Sequence, residues 1–416
     1  MNAGFTKRAL RLALAAAATA AVGLHTGGCD ALLPAAPESQ DVLAEPLEDL
    51  TPSQLATHLA GDEEFARVFG PGDGLGPLFV APSCESCHVG DGKGHPVTTL
   101  TRFGRNDGAT FDPMPAHGGP QLQHRAIPGY PPEVVPESAT GIARFMPPAV
   151  TGLGFLEAVS DETILALADP DDEDQDGISG APNWVEAPDF VSPRSERIVQ
   201  NGRYIGRFGK KAFTINLLHQ TVAAYRDDMG ITTDQQPVDN VNASEGEFTG
   251  DEVPDPELPS DVLKNVVFYI RTLKAPPRRG MAGPDVVAGE GIFADIGCAR
   301  CHVASMTTGP SDVAALSEKE FHPYTDLLLH DMGPELDDGY TEGSASTSEW
   351  RTAPLWGIGL AADSQGGATF LLHDGRASSI EEAIGFHGGE GSASRATFEQ
   401  LSTEEKLHLI AFLESL

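Results

Sequence analysis

Four of the five cysteines stand in two pairs, Cys84 with Cys87 and Cys298 with Cys301, and a histidine follows each pair at once, His88 and His302. Thiols three positions apart lie about one helical turn from each other, and the next residue sets an imidazole beside them. Cys-x-x-Cys-His therefore suits covalent attachment of a c-type haem, the thiols reaching the two vinyl groups and the imidazole sitting under the iron. One zinc site of four thiolates, or two thiol redox couples, are the competing chemistries. Neither accounts for a histidine twice in the same place. Two covalently bound haem c groups are the expectation, held by Cys84, Cys87 and His88 and by Cys298, Cys301 and His302.

The elements that must position these motifs read as two unequal copies of one unit. A Gly and then a Phe precede each motif, in Leu75–Phe79 and in Gly289–Phe293, as in a short opening helix. Apolar residues at helical spacing predict closing helices over Val262 to Leu273 and Thr403 to Leu416, with Ser402 as N-cap of the second. Between motif and closing helix each copy carries an Arg before a Pro, Arg144 and Arg351. The fold class expected is mainly α, two cytochrome c-like haem domains with the first enlarged by insertions. Residues 1–28 read as a signal peptide, 29–55 as a tether, 56–280 as the N-terminal haem domain and 281–416 as the C-terminal one. One insertion sets Asp172, Asp174 and Asp176 at alternate positions before Gly177, the start of a calcium loop of D-x-D-x-D-G type, although position twelve is Asn183 rather than Glu. A solvated acidic turn is the alternative. Residues Thr233 to Pro259 read as a polar surface excursion.

Lys7, Arg8 and Arg11 before an apolar run from Leu12 to Leu24 have the order of a secretory signal. Thr26-Gly27-Gly28-Cys29 is similar to a lipoprotein cleavage box, so export to the periplasm or cell envelope with lipidation at Cys29 is expected. A membrane is then a partner only through that anchor. The formal net charge of −34 argues against nucleic acid as a partner and favours an electron-donor protein of opposite charge, such as a small basic cytochrome.

Several strings together resemble the di-haem cytochrome c peroxidase superfamily, and within it the di-haem oxidoreductase branch of peroxidases and thiol oxidoreductase-like proteins. They are Cys84-Glu-Ser-Cys-His88, Met146 to Glu157, Asp176-Gly-Ile-Ser-Gly180, Gly206 to Lys210, Asp228-Met-Gly-Ile-Thr232, Tyr324 to Gly333, Arg351 to Trp356 and Leu372 to Ala377. The resemblance spans roughly residues 70 to 416. It implies that electrons enter at the His302 haem and that peroxide or another oxidant reacts at the His88 haem, and that calcium lies between the haem domains. A segment like Ser379 to His387 carries a Met as sixth ligand in the peroxidases; here His387 stands in its place, with Met332, His373 and His330 as competitors. For the first haem His117, His124, Met229 and His95 are the protein ligands to weigh against an open position. Glu157 and Gln121 are the acid/base or distal-pocket residues, and Arg144 and Arg351 suit haem propionates. With four cysteines committed to haem, thiol chemistry gains no support. The expected function is a redox enzyme of peroxidase type, and the alternative is a non-catalytic di-haem electron carrier.

Overall fold

Two helix pairs, each closed on a glycine, frame the two motifs. In the computed structural model residues 43–108, 110–193, 196–241 and 250–416 are described. The segment expected to be a signal peptide, 1–28, and Cys29 lie outside them. Helix α1 (Pro52–Ala66) starts at Thr51, which accepts the Gln54 amide while the Gln54 side chain takes the Thr51 N–H, so two of the first-turn donors are satisfied. It packs on α4 (Ser260–Thr272). In the C-terminal half α5 (Pro284–Asp295) packs on α8 (Thr403–Ser415), which Ser402 and Glu405 cap in the same reciprocal way. The remaining numbered helices are α2 (Leu153–Ala158), α3 (Leu217–Met229), α6 (Ile380–Gly385) and α7 (Ser392–Gln400).

The two pairs repeat one another in detail. A Cβ on Gly61 would lie 2.1 Å from the Asn265 carbonyl and 2.6 Å from Cβ of Tyr269; a Cβ on Gly289 would lie 2.0 Å from the His408 carbonyl and 2.7 Å from Cβ of Phe412. One turn after each glycine a phenylalanine faces the motif histidine, Phe65 with its ring 6.2 Å from that of His88 and Phe293 6.4 Å from His302. Phe65 also meets Tyr269, at 5.4 Å, as Phe293 meets Phe412, at 5.2 Å. The largest apolar cluster, which holds Phe65, Tyr225 and Tyr269, covers Cys84; a second, around Phe293, Leu409 and Phe412, covers Cys298.

Gly289→Ala therefore forces α5 from α8 and should lower stability by about 1–3 kcal/mol. Gly291→Ala, where an added Cβ meets nothing within 4 Å, should raise it by about 1 kcal/mol through helix propensity alone. Thermal unfolding of the two variants reads the opposite signs.

Three expectations need correction. The architecture is mixed and helix-rich rather than mainly α, with 34% of the described residues in helix and 13% in strand, the strands forming five small antiparallel sheets. Both Arg-before-Pro segments end strands: Gly141–Phe145 pairs with Leu100–Asn106, and Glu349–Arg351 with Leu329–Asp331. The opening helix of the first copy is α1, not Leu75–Phe79, whose last two residues form the strand Leu78–Phe79 after a cis Gly76–Pro77 bond. The chain from Leu43 is not a tether either: Leu47 is buried and donates its N–H to Thr272, and Lys274 donates to Glu45.

Candidate haem sites

The first motif is a tight turn, with the Cys87 and His88 amides both bonded to the Cys84 carbonyl. The thiols of Cys84, Cys87, Cys298 and Cys301 are free rather than paired. Burial pushes the Cys84, Cys87 and Cys298 thiols up to about 12, with Asp228 adding to the first two. Such thiols stay protonated, which does not suit thiol exchange, a reaction of the thiolate.

Each motif histidine is aimed by its backbone partner. Nδ1 of His88 bonds the Pro148 carbonyl at 2.7 Å and Nδ1 of His302 bonds the Tyr324 carbonyl at 2.9 Å. Burial holds both rings down at about 4, so they are neutral at physiological pH. An imidazole tied at Nδ1 to a carbonyl, neutral and with Nε2 left over, is the orientation of an iron ligand. The anchoring carbonyls of Pro148 and Tyr324 carry no side-chain signal.

The anionic side of a haem also finds partners. Lys93, Lys210 and Arg351 are only half-buried by surface, yet set deep enough that burial brings them down to about 8, 7 and 10. Lys210 feels Lys93 and Arg351, and it in turn lowers His88. Arg351 donates to the Gly209 and Thr352 carbonyls at 3.1 and 3.2 Å, and Asp374, the carboxylate Lys210 feels, is taken by Arg376 at 2.7 Å. Deep-set cations without an ion-pair partner among the described residues fit the propionates that a haem brings. Arg144, by contrast, is exposed on its strand. The free thiols, aimed imidazoles and uncompensated cations fit haem c at both motifs.

Around the second motif the three candidate histidines differ in what they have left over. His330 donates from Nε2 to Asp326 at 2.8 Å and from Nδ1 to Glu390 at 2.6 Å. Burial alone would lower it, but bonds to Asp326, Cys301 and Glu390 reverse this and hold it up at about 12. His373 spends Nε2 on Asp338 at 2.9 Å and stacks on Trp350 at 3.7 Å. His387, at the end of α6, bonds the Ala383 carbonyl through Nδ1 at 2.8 Å, leaves Nε2 over and lies close enough to lower His302.

The first motif has no such partner among the residues singled out. His117 and His124 are exposed, Met229 is inside the apolar cluster, and Nδ1 of His95 accepts the Val97 amide. Gln121 is 3% exposed; its Nε2 donates to the Asp227 carbonyl and to Asp228 Oδ1, each at 2.7 Å, and its Oε1 is buried without a partner. Asp228, one residue from the end of α3, sits beside both thiols and is raised by burial to about 6. The sequence showed it only as the first residue of the Asp228-Met-Gly-Ile-Thr232 string, without a role. Glu157 is committed elsewhere: Oε1 accepts the Leu217 amide, capping α3, and Oε2 lies 2.8 Å from Arg271.

Glu133, 5% exposed, accepts the Gln123 amide and is raised by burial to about 7. Its folded-state value lies above the unfolded one, so the native state keeps a proton that the unfolded state loses, and stability falls as pH climbs from about 4.5 to 7. Glu133→Gln should match the parent near pH 4 and exceed it by about 1–3 kcal/mol above pH 7 in denaturant titrations.

In the acidic loop Asp169, Asp172 and Asp174 converge to within 4.8 Å. Asp176 does not join them; it pairs with Arg300 at 3.3 Å. Backbone amides of the loop itself bond Asp169, Asp172 and Asp174.

No helix of the described residues is long and apolar enough to cross a membrane. No curated protein sequence matches the chain. Among solved structures it is similar to hydrazine synthase of Kuenenia stuttgartiensis pressurised with xenon, at 14% identity and a TM-score of 0.35 over 92% of this chain and 98% of that one. It is also similar to a MauG-like protein associated with microbial copper homeostasis, at 16% identity and a TM-score of 0.30 over 70% and 94%. Likenesses of that size carry no weight for chemistry. Residues 138–416, which include the second motif and begin after the first, match the family described as "Di-haem oxidoreductase, putative peroxidase". With well over half of its length matched, the chain belongs to the di-haem oxidoreductase family.

Proposed function

We propose that the protein is an exported di-haem c-type cytochrome of peroxidase type, in which electrons enter at the His302 site and an oxidant is reduced at the His88 site. The observation that carries this reading is the asymmetry of the two sites. His302 has His387 beside it with Nε2 to spare, whereas of the residues weighed for His88 two are exposed, Met229 lies in the apolar cluster and His95 spends Nδ1 on the Val97 amide. A closed site suits electron transfer and an open one suits chemistry on a small oxidant.

Bound haem would supply the redox-active iron, so that hydrogen peroxide with two electrons and two protons becomes two waters. The chain supplies the rest. His88 and His302 are held in one tautomer by their carbonyl partners, Lys93, Lys210 and Arg351 neutralise the propionates, and Arg351 also feels Asp326 on the second side. Gln121 fixes Asp228, whose raised affinity for a proton suits proton delivery near neutral pH. The excess of acidic residues favours a small basic cytochrome as electron donor, and the N-terminal signal with Cys29 favours a lipid-anchored life in the cell envelope.

The test is steady-state peroxide consumption by purified holo-protein with a reduced basic cytochrome. Turnover that is lost in His88→Ala and falls steeply with ionic strength is the expected result. Absence of turnover at any salt concentration would leave an electron carrier.

A further inference from the structure

A second acidic cluster, remote in sequence from the 169–176 loop, is built differently. Asp239, Asp255 and Glu257 bring one carboxylate oxygen each to within 4.8 Å of one another. Asp251 joins them from outside that trio: it is 9% exposed, its amide donates to Asp239 Oδ2 at 3.1 Å, and its Oδ1 accepts the Val253 amide. Its Oδ2 is buried with no partner. The same holds for Asp239 Oδ1 and Glu257 Oε1, and for the amide oxygens of Gln235 and Gln236 in the preceding turn. Thr232 Oγ1 lies 2.5 Å from Asp255 Oδ1 and 2.6 Å from Glu257 Oε2, with one hydrogen to share between them. Among the described residues no Lys, Arg or His forms an ion pair with any of the four carboxylates. Glycine makes room twice: a Cβ on Gly250 would lie 2.1 Å from Asp239 Oδ2, and one on Gly74 would lie 2.4 Å from Glu257 Cγ.

Buried acceptors that outnumber their donors, in a knot of like charges, need a cation. The donor set is all oxygen, carboxylate and hydroxyl, without sulfur or imidazole, which selects a hard ion. The number of protein oxygens favours calcium, which takes six to eight at roughly 2.3–2.6 Å, over magnesium, which keeps several waters. We propose that Asp239, Asp251, Asp255 and Glu257 form a calcium site that fastens residues 232–240 and 250–258 to one another and against Gly74, on the stretch of chain that leads into Cys84. The acidic loop at 169–176 differs because none of the carboxylate oxygens of Asp169, Asp172 and Asp174 is buried without a partner.

The experiment is calcium titration by calorimetry of the EGTA-treated, full-length holo-protein, with thermal unfolding followed at the haem absorbance. One calcium per chain should bind at this site, weakened at least tenfold by Asp251→Asn and by Glu257→Gln and unchanged by a Asp172→Asn, Asp174→Asn double variant. In EGTA, Asp251→Asn should unfold at or above the parent temperature, because one repelling charge is gone, and it should lose the rise that calcium gives the parent. No calcium uptake, or uptake lost only in the Asp172, Asp174 variant, overturns the proposal. So does an Asp251→Asn variant equally destabilised with and without calcium, which would make the residue merely structural.

Discussion

Asp228→Asn is expected to lower turnover with peroxide by roughly 10²- to 10⁴-fold, the range contributed by a positioned proton donor, while both haems stay attached. The carboxyl sits beside Cys84 and Cys87 and is raised to about 6 by burial, so near neutral pH it can both give and take a proton. Asn keeps an oxygen for the Gln121 amide and so preserves the local fold while removing the proton. Glu157→Gln is the opposite case. It weakens the pair with Arg271, which keeps Asp312, and the cap of α3, so stability should fall by about 1–3 kcal/mol, with the kcat of the folded fraction unchanged. Parallel measurement of kcat and thermal unfolding separates the two. Full activity in Asp228→Asn, with kcat lost in Glu157→Gln at unchanged stability, would move the proton role to Glu157.

His387→Met should raise the reduction potential of the C-terminal haem by roughly a hundred millivolts or more, a fraction of the span of about 0.8 V that axial ligands cover. A thioether favours ferrous iron more than an imidazole does. His387 meets the structural requirement because its Nδ1 is tied to Ala383, which leaves Nε2 to coordinate. Met332→Leu and His373→Asn should leave that potential nearly unchanged, the second because His373 is already spent on Asp338 and Trp350. Spectroelectrochemical titration of the four proteins gives the comparison. An unchanged potential in His387→Met would remove it from the coordination sphere.

What the sequence revealed was local. Cys-x-x-Cys-His is chemistry within five residues, and α8 announces itself through a Ser402 cap, acidic first turn and apolar spacing that need no distant partner. The opening helix of the first unit escaped notice because the signal it shares with α5, Gly61 followed by Phe65 and Gly289 followed by Phe293, stands 23 residues ahead of Cys84 in one copy and 9 ahead of Cys298 in the other. Short strands such as Glu349–Arg351 escaped because their pairing with Leu329–Asp331 is long-range and their length too small for alternation to show. The propionate partners were half visible: Arg351 stood out through its repeated motif, but Lys93 and Lys210 look like any surface lysine until burial and the neighbouring cations are known. The same is true of Asp228 and of the carboxylates between 239 and 257, which the fold gathers from a stretch that reads as polar loop. Asp176 shows the converse, a residue with motif spacing that the fold diverts to Arg300.

The most direct test of two unequal sites is electron paramagnetic resonance of the holo-protein, oxidised and half-reduced, before and after hydrogen peroxide. One high-spin centre that reacts with peroxide, absent from His88→Ala, beside one low-spin centre that turns high-spin in His387→Ala, is the predicted result. Two low-spin centres that persist on half-reduction and ignore peroxide would contradict it and leave a carrier of electrons.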